Sequence, residues 1–364
     1  MNIGIDASNI RTGGGRKHLE NFITNALILD NNLKFTIVSN QIINGSFNDI
    51  ENVKCISNKL LNINNITSFL SQLICSKKYF NENKCDIVFV PGGIFLSSFR
   101  PYISMSQNML PFDYEEILKF NILKRIKFLL IKKFQIYTFK RSVGIIFLTQ
   151  YAQQTILKSL KFDKKSIIIP HGVIQRESNL YKFKNKPFEI LYVSDFLPYK
   201  NQYKVVKSIS NLIKNGYDIQ LKLIGKVDKY QLNKINKLKY KNKHLSNRID
   251  VLGHIPNENI IKHYKKCSIF LFASTCENLP FILLEAMSFG LPILTTNKKP
   301  MQDIVYDEGV IFDIDNPKSL ETTIIENINE EKLVKISKEN YILSKKYIVK
   351  DSVRRSIKFI CDNV

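Results

Sequence analysis

The chain is poor in several features that would define its class, since it has no tryptophan, few acidic residues for its many basic ones, and no long apolar run. No stretch of eighteen consecutive apolar residues occurs, so the sequence predicts no membrane-spanning helix. The first residues, Met1–Asp6, indicate a strand. We expect no secretory signal there, because a basic segment followed by an apolar one is missing.

The cysteines are few and scattered. None of the six has CxxC or CxxxxC spacing to another, which argues against a zinc site and against a disulfide framework. This usage fits a reducing compartment, so we expect a cytoplasmic protein. The residues are Cys55, Cys75, Cys85, Cys267, Cys276 and Cys361.

The charge balance is strongly basic, with 54 Lys and Arg against 32 Asp and Glu and a formal net charge of +22. Such a protein attracts polyanions, which include nucleic acid, an anionic membrane surface and phosphorylated substrates. Lysine, asparagine and isoleucine are abundant throughout, so part of the excess reflects composition and carries no functional message.

One segment, Lys119–Arg141, has eight basic residues and no acid, interleaved with Phe, Leu and Ile. A basic amphipathic helix of this kind can lie on an anionic leaflet. The alternative is a core helix with a solvated lysine face. We expect membrane contact, peripheral and on the inner face of the cell membrane, because the apolar surface exceeds what one core contact needs. The basic residues are Lys119, Lys124, Arg125, Lys127, Lys132, Lys133, Lys140 and Arg141.

Strand and helix patterns alternate along the chain, which predicts two α/β domains with doubly wound parallel sheets facing a central cleft. We expect an N-terminal domain over residues 1–175, a linker over 176–187 and a second domain over 188–345. A C-terminal helix within 346–364 would return to the first domain. The longer helical patterns are Lys17–Leu29, Leu61–Phe80, Tyr114–Arg141 and Gln150–Leu160. Ligands of such folds bind beyond the carboxyl ends of the strands, so the candidate loops follow Asp6, Pro91, Ser106, Ser194, Gly225 and Phe272.

The most informative motif holds two carboxylates, Glu277 in a loop and Glu285 in the short helix that follows. Pro280 opens this helix, and the free backbone N–H groups of the helix's first turn would attract phosphate. The apolar residues around Glu285 also fit a buried core helix, but a buried carboxylate is costly unless it is paired. The layout therefore favours a nucleotide-sugar over a metal or a water nucleophile.

Two further loops are candidates. Gly13–Gly15 would let the backbone approach a ligand closely, and the helix that follows could hold a phosphate. The pattern is neither GxGxxG nor GxxxxGK[ST], and a flexible turn is the alternative. Lys200 follows a predicted strand, where an ammonium could neutralise a diphosphate, although most lysines of such a chain are simply exposed.

At these residues the chain resembles the retaining glycosyltransferases of family 4, which have the two-domain GT-B fold. The specific element is the Glu–seven–Glu motif with Ala286-Met287, Gly290 and Pro292. The resemblance covers nearly the whole chain, and its variants look most like bacterial members that build lipopolysaccharide or capsule. Weaker elements in family order are Gly13–Gly15, Ile169–Val173, Lys200, Leu223–Gly225 and Leu252-Gly253.

The resemblance implies a hexosyltransferase that uses a nucleotide-diphosphate sugar, needs no cofactor or metal, and retains the anomeric configuration. Its acceptor would be a growing, lipid-linked glycan. Glu277 would contact the donor sugar, Glu285 the ribose and Lys200 the diphosphate. Backbone amides would share the phosphates, and the first domain would contribute groups near the transferred sugar and the acceptor. These remaining positions are Gly14 and Gly15, then Asn278, Leu279, Pro280 and Phe281, and finally Gln107 and Asn108.

Three positions depart from the family pattern. Asp195 stands where a basic residue is common, Gln107-Asn108 stands where His-Asp is frequent, and the later acid is at best Asp303. These departures leave open a catalytically impaired member that acts as a binding subunit. The charge leaves open a nucleic-acid-binding protein, but no nucleic-acid motif occurs, so we expect no such partner. A nicotinamide enzyme would need the GxGxxG pattern that is missing here.

Overall fold

The computed structural model describes residues 1–11, 13–160, 162–176, 187–305 and 310–364, except for the side chain at position 257. The described chain divides into two units. One comprises Met1–Gly172 together with Ile348–Val364, and the other comprises Val173–Tyr347. Most of the predicted linker, residues 177–186, lies outside the described residues.

The first unit is built on a parallel sheet of strand order β3-β2-β1-β4-β5-β6-β7. The chain moves outward from β1 in one direction and then, from β4, in the other, which is the doubly wound arrangement. The strands are β1 (Asn2–Asp6), β2 (Lys34–Val38), β3 (Val53–Ile56), β4 (Ile87–Val90), β5 (Tyr102–Ser106), β6 (Gly144–Phe147) and β7 (Lys165–Ile168).

The second unit repeats this plan with a parallel sheet of order β10-β9-β8-β11-β12-β13. Its central strands are buried apolar runs, as expected for a parallel sheet covered on both faces. The prediction of two doubly wound α/β domains is thus confirmed. The strands are β8 (Phe188–Val193), β9 (Ile219–Ile224), β10 (Ile249–Gly253), β11 (Ile269–Phe272), β12 (Ile293–Thr296) and β13 (Ile311–Phe312).

Helices connect the strands in both units. The last one packs on the first unit, where Gly144 leaves no room for a Cβ because Phe359 would lie 2.9 Å away. The first-unit helices are α1 (Gly14–Leu29), α2 (Gln41–Asn44), α3 (Lys59–Ile63), α4 (Asn65–Ser71), a π-helix (Gln72–Ser76), α5 (Lys77–Glu82), α6 (Tyr114–Leu118), α7 (Ile122–Arg141), α8 (Gln150–Lys158) and α16 (Val349–Cys361). The second-unit helices are α9 (Gln202–Lys214), α10 (Lys229–Lys241), α11 (Asn257–Tyr264), α12 (Phe281–Ser288), α13 (Met301–Ile304), α14 (Pro317–Asn327) and α15 (Glu330–Ser344).

Two long helices predicted from the sequence are interrupted. The segment Leu61–Phe80 breaks at Asn64, whose side chain accepts hydrogen bonds from the next turn and forms a capping box with Thr67. The segment Tyr114–Arg141 breaks before Asn121, which caps α7 in the same way. Asparagine competes with helical bonding in this manner, and the apolar periodicity hid both breaks.

Candidate functional site

The two central strands of the second sheet, β8 and β11, mark the point where the strand order reverses. Loops leave such neighbours in opposite directions and open a crevice at their carboxyl ends. Lys200 lies in a 3₁₀ turn, Pro198–Lys200, after β8. Glu277 lies in the loop after β11, so the topology brings both predicted residues to the same crevice.

Hydrogen bonds join these two loops. The Thr275 amide donates to the Tyr199 carbonyl at 2.9 Å. The Asn201 side chain donates to the Ala273 carbonyl at 2.9 Å. The buried Tyr192 hydroxyl donates to the Lys200 carbonyl at 2.6 Å. Burial, and then the charge of Glu277, raise the pKa of Tyr192 well above its usual value, so this donor keeps its proton. The backbone of Lys200 is therefore fixed.

The Lys200 ammonium forms an ion pair with the Glu277 carboxylate. Only 12% and 15% of these two side chains are exposed. The ammonium also lies 5.3 Å from the centroid of the Phe272 ring. An ammonium has three donors, so one bond to Glu277 leaves capacity for a second anion at the crevice.

Helix α12 begins beside this pair. Pro280 occupies its N-cap, no side chain caps it, and its first turn contains no acid. Its end is a Schellman motif, in which Gly290, at φ 66°, donates to the Met287 carbonyl at 2.9 Å. Such an N-terminus attracts anions, and the chain around it holds the predicted donor contacts Asn278, Leu279, Pro280 and Phe281.

Glu285 lies about one turn into α12, on the side of the helix that is not fully covered. Glu285 is only partly buried, while Leu284 and Ala286 are fully buried, so the carboxylate can reach a ligand without being enclosed in the core. The buried Tyr264 hydroxyl lies 3.3 Å from Glu285 Oε2. Burial, and then the charge of Glu285, raise the pKa of Tyr264 well above its usual value. This hydroxyl therefore donates to the carboxylate.

Sequence reasoning missed Tyr264. It ends α11, 21 residues before Glu285, and its ring packs against Phe270 and Phe289 at centroid distances of 5.9 and 5.1 Å. No local pattern pairs a tyrosine with an acid on another helix. The pairing of Tyr264 with Glu285 could be found only from the fold, which packs α11 and α12 next to each other on the sheet.

The glycine-rich loop of the first unit adopts the expected helix start. Gly13 is the N-cap of α1 at φ 70°, no side chain caps the helix, and its first turn contains no acid. A Cβ built on Gly15 would lie 3.8 Å from Gln107 Oε1, so the structure brings this glycine beside the side chain that follows β5. Asn108 caps its own turn by accepting from the Leu110 amide at 3.1 Å.

Behind this loop lies a buried polar network that the sequence did not reveal. Asp6 Oδ1 accepts from the Ser8 hydroxyl at 2.7 Å and from Gln72 Nε2 at 2.9 Å. Burial raises the pKa of Asp6 to about 6, although both hydrogen bonds oppose the shift. Asn9 donates to the Gly92 carbonyl at 3.1 Å, and a Cβ on Gly92 would lie 1.9 Å from Asn9 Oδ1. The Gly92-Gly93 pair after β4 was the available signal.

One departure from the family pattern, Asp195, has a structural role here, and the later acid Asp303 lies at the surface. The Asp195 carboxylate accepts from the Lys226 amide at 2.7 Å and so joins the loops after β8 and β9. Gly225 is required there, because at φ 148° a Cβ would lie 2.1 Å from the Ser194 carbonyl oxygen. Asp303 is half-exposed, 3.9 Å from the Lys299 ammonium.

Within the described residues, no group of three or more His, Cys, Asp or Glu side chains is placed to hold a metal ion. The helices in the same ranges include none with the length and apolarity needed to cross a membrane.

The two doubly wound parallel sheets give the chain the fold of its structural neighbours, which are GT-B glycosyltransferases. Residues 173–342 match the sequence model of the family described as glycosyl transferases group 1. This part of the chain is therefore a glycosyltransferase group 1 domain.

Individual relatives agree with this assignment. An uncharacterised glycosyltransferase of Methanocaldococcus jannaschii is 29% identical over 206 residues, which is 56% of this chain and 55% of that protein. The amylovoran biosynthesis glycosyltransferase AmsD of Erwinia amylovora is 20% identical over 56% of this chain and 58% of its own length. The chain thus spans about half the length of these curated relatives. Anabaena HepE, solved with UDP-glucose, superposes with a TM-score of 0.75 at 16% identity over 100% of both chains.

Proposed function

We propose that this chain is a nucleotide-sugar-dependent hexosyltransferase that extends a lipid-linked bacterial surface glycan with retention of anomeric configuration. The observation that carries the proposal is the Lys200–Glu277 pair at the strand-order reversal, beside the uncapped start of α12. The name of the amylovoran relative supports a surface glycan as product. The UDP-glucose complex of the Anabaena neighbour supports a hexose donor.

The donor would lie across the crevice of the second unit. The α12 amides and the Lys200 ammonium would bind the diphosphate, since both supply positive charge at the same place. Glu285, oriented by Tyr264, would accept from the ribose hydroxyls. Glu277 would accept from hydroxyls of the sugar while it remains paired with Lys200.

The reaction would break the bond between the anomeric carbon and the diphosphate oxygen and join that carbon to the oxygen of an acceptor hydroxyl on the same face, while the hydroxyl proton passes to the departing diphosphate. Negative charge grows on the diphosphate as the sugar departs. A fixed ammonium and a helix N-terminus therefore stabilise the transition state more than they stabilise the bound donor. The roles that the resemblance implies for Gly14, Gly15, Gln107 and Asn108 of the first unit stay predictions.

The segment Lys119–Arg141 would hold the enzyme at the inner face of the cell membrane, where a lipid-linked acceptor is presented. In α7 the side chains of Leu123 and Ile126 are exposed, as are those of Lys124, Lys127 and Lys133. A basic surface with exposed aliphatic groups combines electrostatic attraction with apolar insertion.

Calorimetric titration of the purified chain with nucleoside diphosphates and nucleotide-hexoses tests this proposal. We expect saturable binding of at least one nucleoside diphosphate, and we expect the matching nucleotide-hexose to compete for the same site. A salt-resistant preference for one base would exclude a purely electrostatic contact. Binding of DNA or RNA but of no nucleoside diphosphate would overturn the proposal in favour of a nucleic-acid-binding protein.

A further inference from the structure

The helical segment 59–78 exposes aliphatic side chains to solvent and buries polar ones, the reverse of an ordinary surface helix. Five aliphatic side chains on it are between 45% and 73% exposed. Four of them follow the break at Asn64 and are spaced along one helical face, and the fifth, Ile63, ends α3 just before the break. The residues on the opposite face, turned toward the domain, are polar and fully buried. The exposed set is Ile63, Ile66, Leu70, Leu73 and Ile74, and the buried set is Ser68, Ser71, Gln72 and Ser76.

Hydrogen bonds fix this orientation. Gln72 donates to Asp6 Oδ1 at 2.9 Å and to the Ile94 carbonyl at 3.0 Å, and it accepts from the Leu96 amide at 3.1 Å. The Ser71 hydroxyl accepts from the Asn58 side chain at 2.7 Å. Rolling the helix to bury its aliphatic face would leave these polar groups unpaired in the interior, so the apolar face stays outward.

The apolar face continues onto α7. The rings of Phe69 and Phe134 lie 6.2 Å apart between centroids, so the two helices are neighbours. Helix α7 exposes five more aliphatic side chains. Together these two helices carry ten of the seventeen exposed Leu and Ile residues in the described chain. The α7 set is Ile122, Leu123, Ile126, Leu129 and Leu130.

The charges around this face select its partner. Residues 52–81 include no acid, and exposed Lys59, Lys77 and Lys78 flank the aliphatic groups. A second copy of this chain would bring lysine against lysine in a molecule of net charge +22. An anionic phospholipid bilayer offers acyl chains to the aliphatic groups and phosphates to the lysines.

We propose that the helical segment 59–78 is a second membrane-contacting element, which inserts the aliphatic face that follows the break at Asn64, together with Ile63 before it, among acyl chains beside the basic helix α7. This inference rests on the proposed membrane attachment and divides it between two elements. Helix α7 supplies most of the positive charge, and the segment 59–78 supplies insertion.

The absence of tryptophan makes the test direct, because a single introduced Trp is the only one that reports. We compare Leu73→Trp with Tyr240→Trp, which reports from α10, a helix of the second unit with five lysines and no acid. With vesicles of phosphatidylcholine and phosphatidylglycerol, the Leu73→Trp emission should shift to the blue. Brominated acyl chains should quench it several-fold more than they quench the Tyr240→Trp emission. An unshifted Leu73→Trp emission on vesicles that retain the protein overturns the inference.

A second variant measures the energetic role. Replacing Ile66, Leu73 and Ile74 by Ser should weaken vesicle binding about tenfold or more, with unchanged circular dichroism and melting temperature. If the triple variant instead only converts a dimer to a monomer in sedimentation, the surface is an interface between copies and the inference is wrong. If α7 charge reversals release the protein while Leu73→Trp reports no insertion, the attachment through α7 stands and the second helix does not.

Discussion

Lys200 and Glu277 form a mostly buried ion pair whose energetics depend on what else reaches the ammonium. Burying two charges costs several kcal/mol per ion, and a pair seldom returns that as stability. The proposed function gives this pair a role besides stability, because the ammonium would also bind the diphosphate of the donor. The following variants test that role.

Replacing Lys200 by Ala should lower turnover far more than donor affinity, by about 100- to 1000-fold in kcat, because charge on the diphosphate grows as the sugar leaves. The matched control is Lys222→Ala, which breaks a similarly buried pair with Glu189 whose side chains are 17% and 12% exposed. Steady-state kinetics and calorimetry separate the two effects. Wild-type kcat in the Lys200 variant, or an equal loss in the Lys222 variant, would contradict the assigned role.

Glu285→Ala should weaken nucleotide binding by roughly 1.5–3 kcal/mol, the range for hydrogen bonds to a charged group. Tyr264→Phe should weaken it less, since the carboxylate remains and only its orientation is lost. Calorimetry with the free nucleoside diphosphate measures both. Unchanged affinity in the Glu285 variant would remove this residue from the site.

Asp6 should make folding stability depend on pH. Burial raises its pKa from 3.8 to about 6 in the folded chain, so the folded state holds this proton more tightly than the unfolded state. This contribution to stability is present below about pH 4 and is lost as pH rises through about 6. The buried His18, whose pKa falls to about 4, acts with the opposite sign.

The difference between wild type and Asp6→Asn isolates the contribution of Asp6. The melting temperature of the wild type minus that of the variant should fall between pH 4 and pH 7. A constant or rising difference would show that Asp6 does not hold its proton in the folded state.

At the scale of elements, asparagine caps set where several helices begin. These caps explain why the sequence predicted most helices and strands but missed two helix breaks. Strand and helix positions follow from apolar periodicity. The helix predicted over Gln150–Leu160 spans Gln150–Lys158, and the one predicted from Lys17 to Leu29 begins earlier, at Gly14. The breaks at Asn64 and Asn121 were missed because the periodicity continues across them. Strand β3 was missed because its four partly exposed residues, Val53–Ile56, carry too short a pattern.

Reversing the charge of helix α7 should release the protein from anionic vesicles. The change is Lys124, Lys127 and Lys133 to Glu, with each basic residue contributing on the order of 1 kcal/mol at an anionic surface. Arg125 is spared because its guanidinium donates to the Leu118 and Phe120 carbonyls and closes the turn before α7.

The matched control reverses Lys229, Lys237 and Lys241 in α10, the lysine-rich helix of the second unit. Vesicle co-sedimentation at increasing salt compares the two variants. Equal loss in both would mean that total charge alone drives binding, and no loss in the α7 variant would favour a solvated lysine face.

At the scale of the whole molecule, the two doubly wound sheets were predictable because alternating strand and helix patterns define that class. The contacts of the site were not, because they join distant parts of the chain. Lys200 meets Glu277 across 77 residues, and the pairing follows from the adjacency of β8 and β11. The assigned roles of these residues stay predictions until the variants are measured.

The diphosphate charge can be carried by Lys200 and the start of α12, so we expect transfer to persist in EDTA. The comparison is initial rate with excess chelator and after addition of Mn²⁺ or Mg²⁺. A rate lost in chelator and restored by Mn²⁺ would show that a metal ion carries that charge.

Nucleotide release from a panel of nucleotide-hexoses is the decisive measurement, with a membrane extract as the source of lipid-linked acceptor. We expect the purified chain to release the nucleoside diphosphate from at least one donor, faster when the extract is present. We also expect the Lys200→Ala variant to lose this release and the Lys222→Ala variant to keep it. A folded chain that binds a nucleoside diphosphate but releases none from any donor would show that it is a binding subunit and not a transferase.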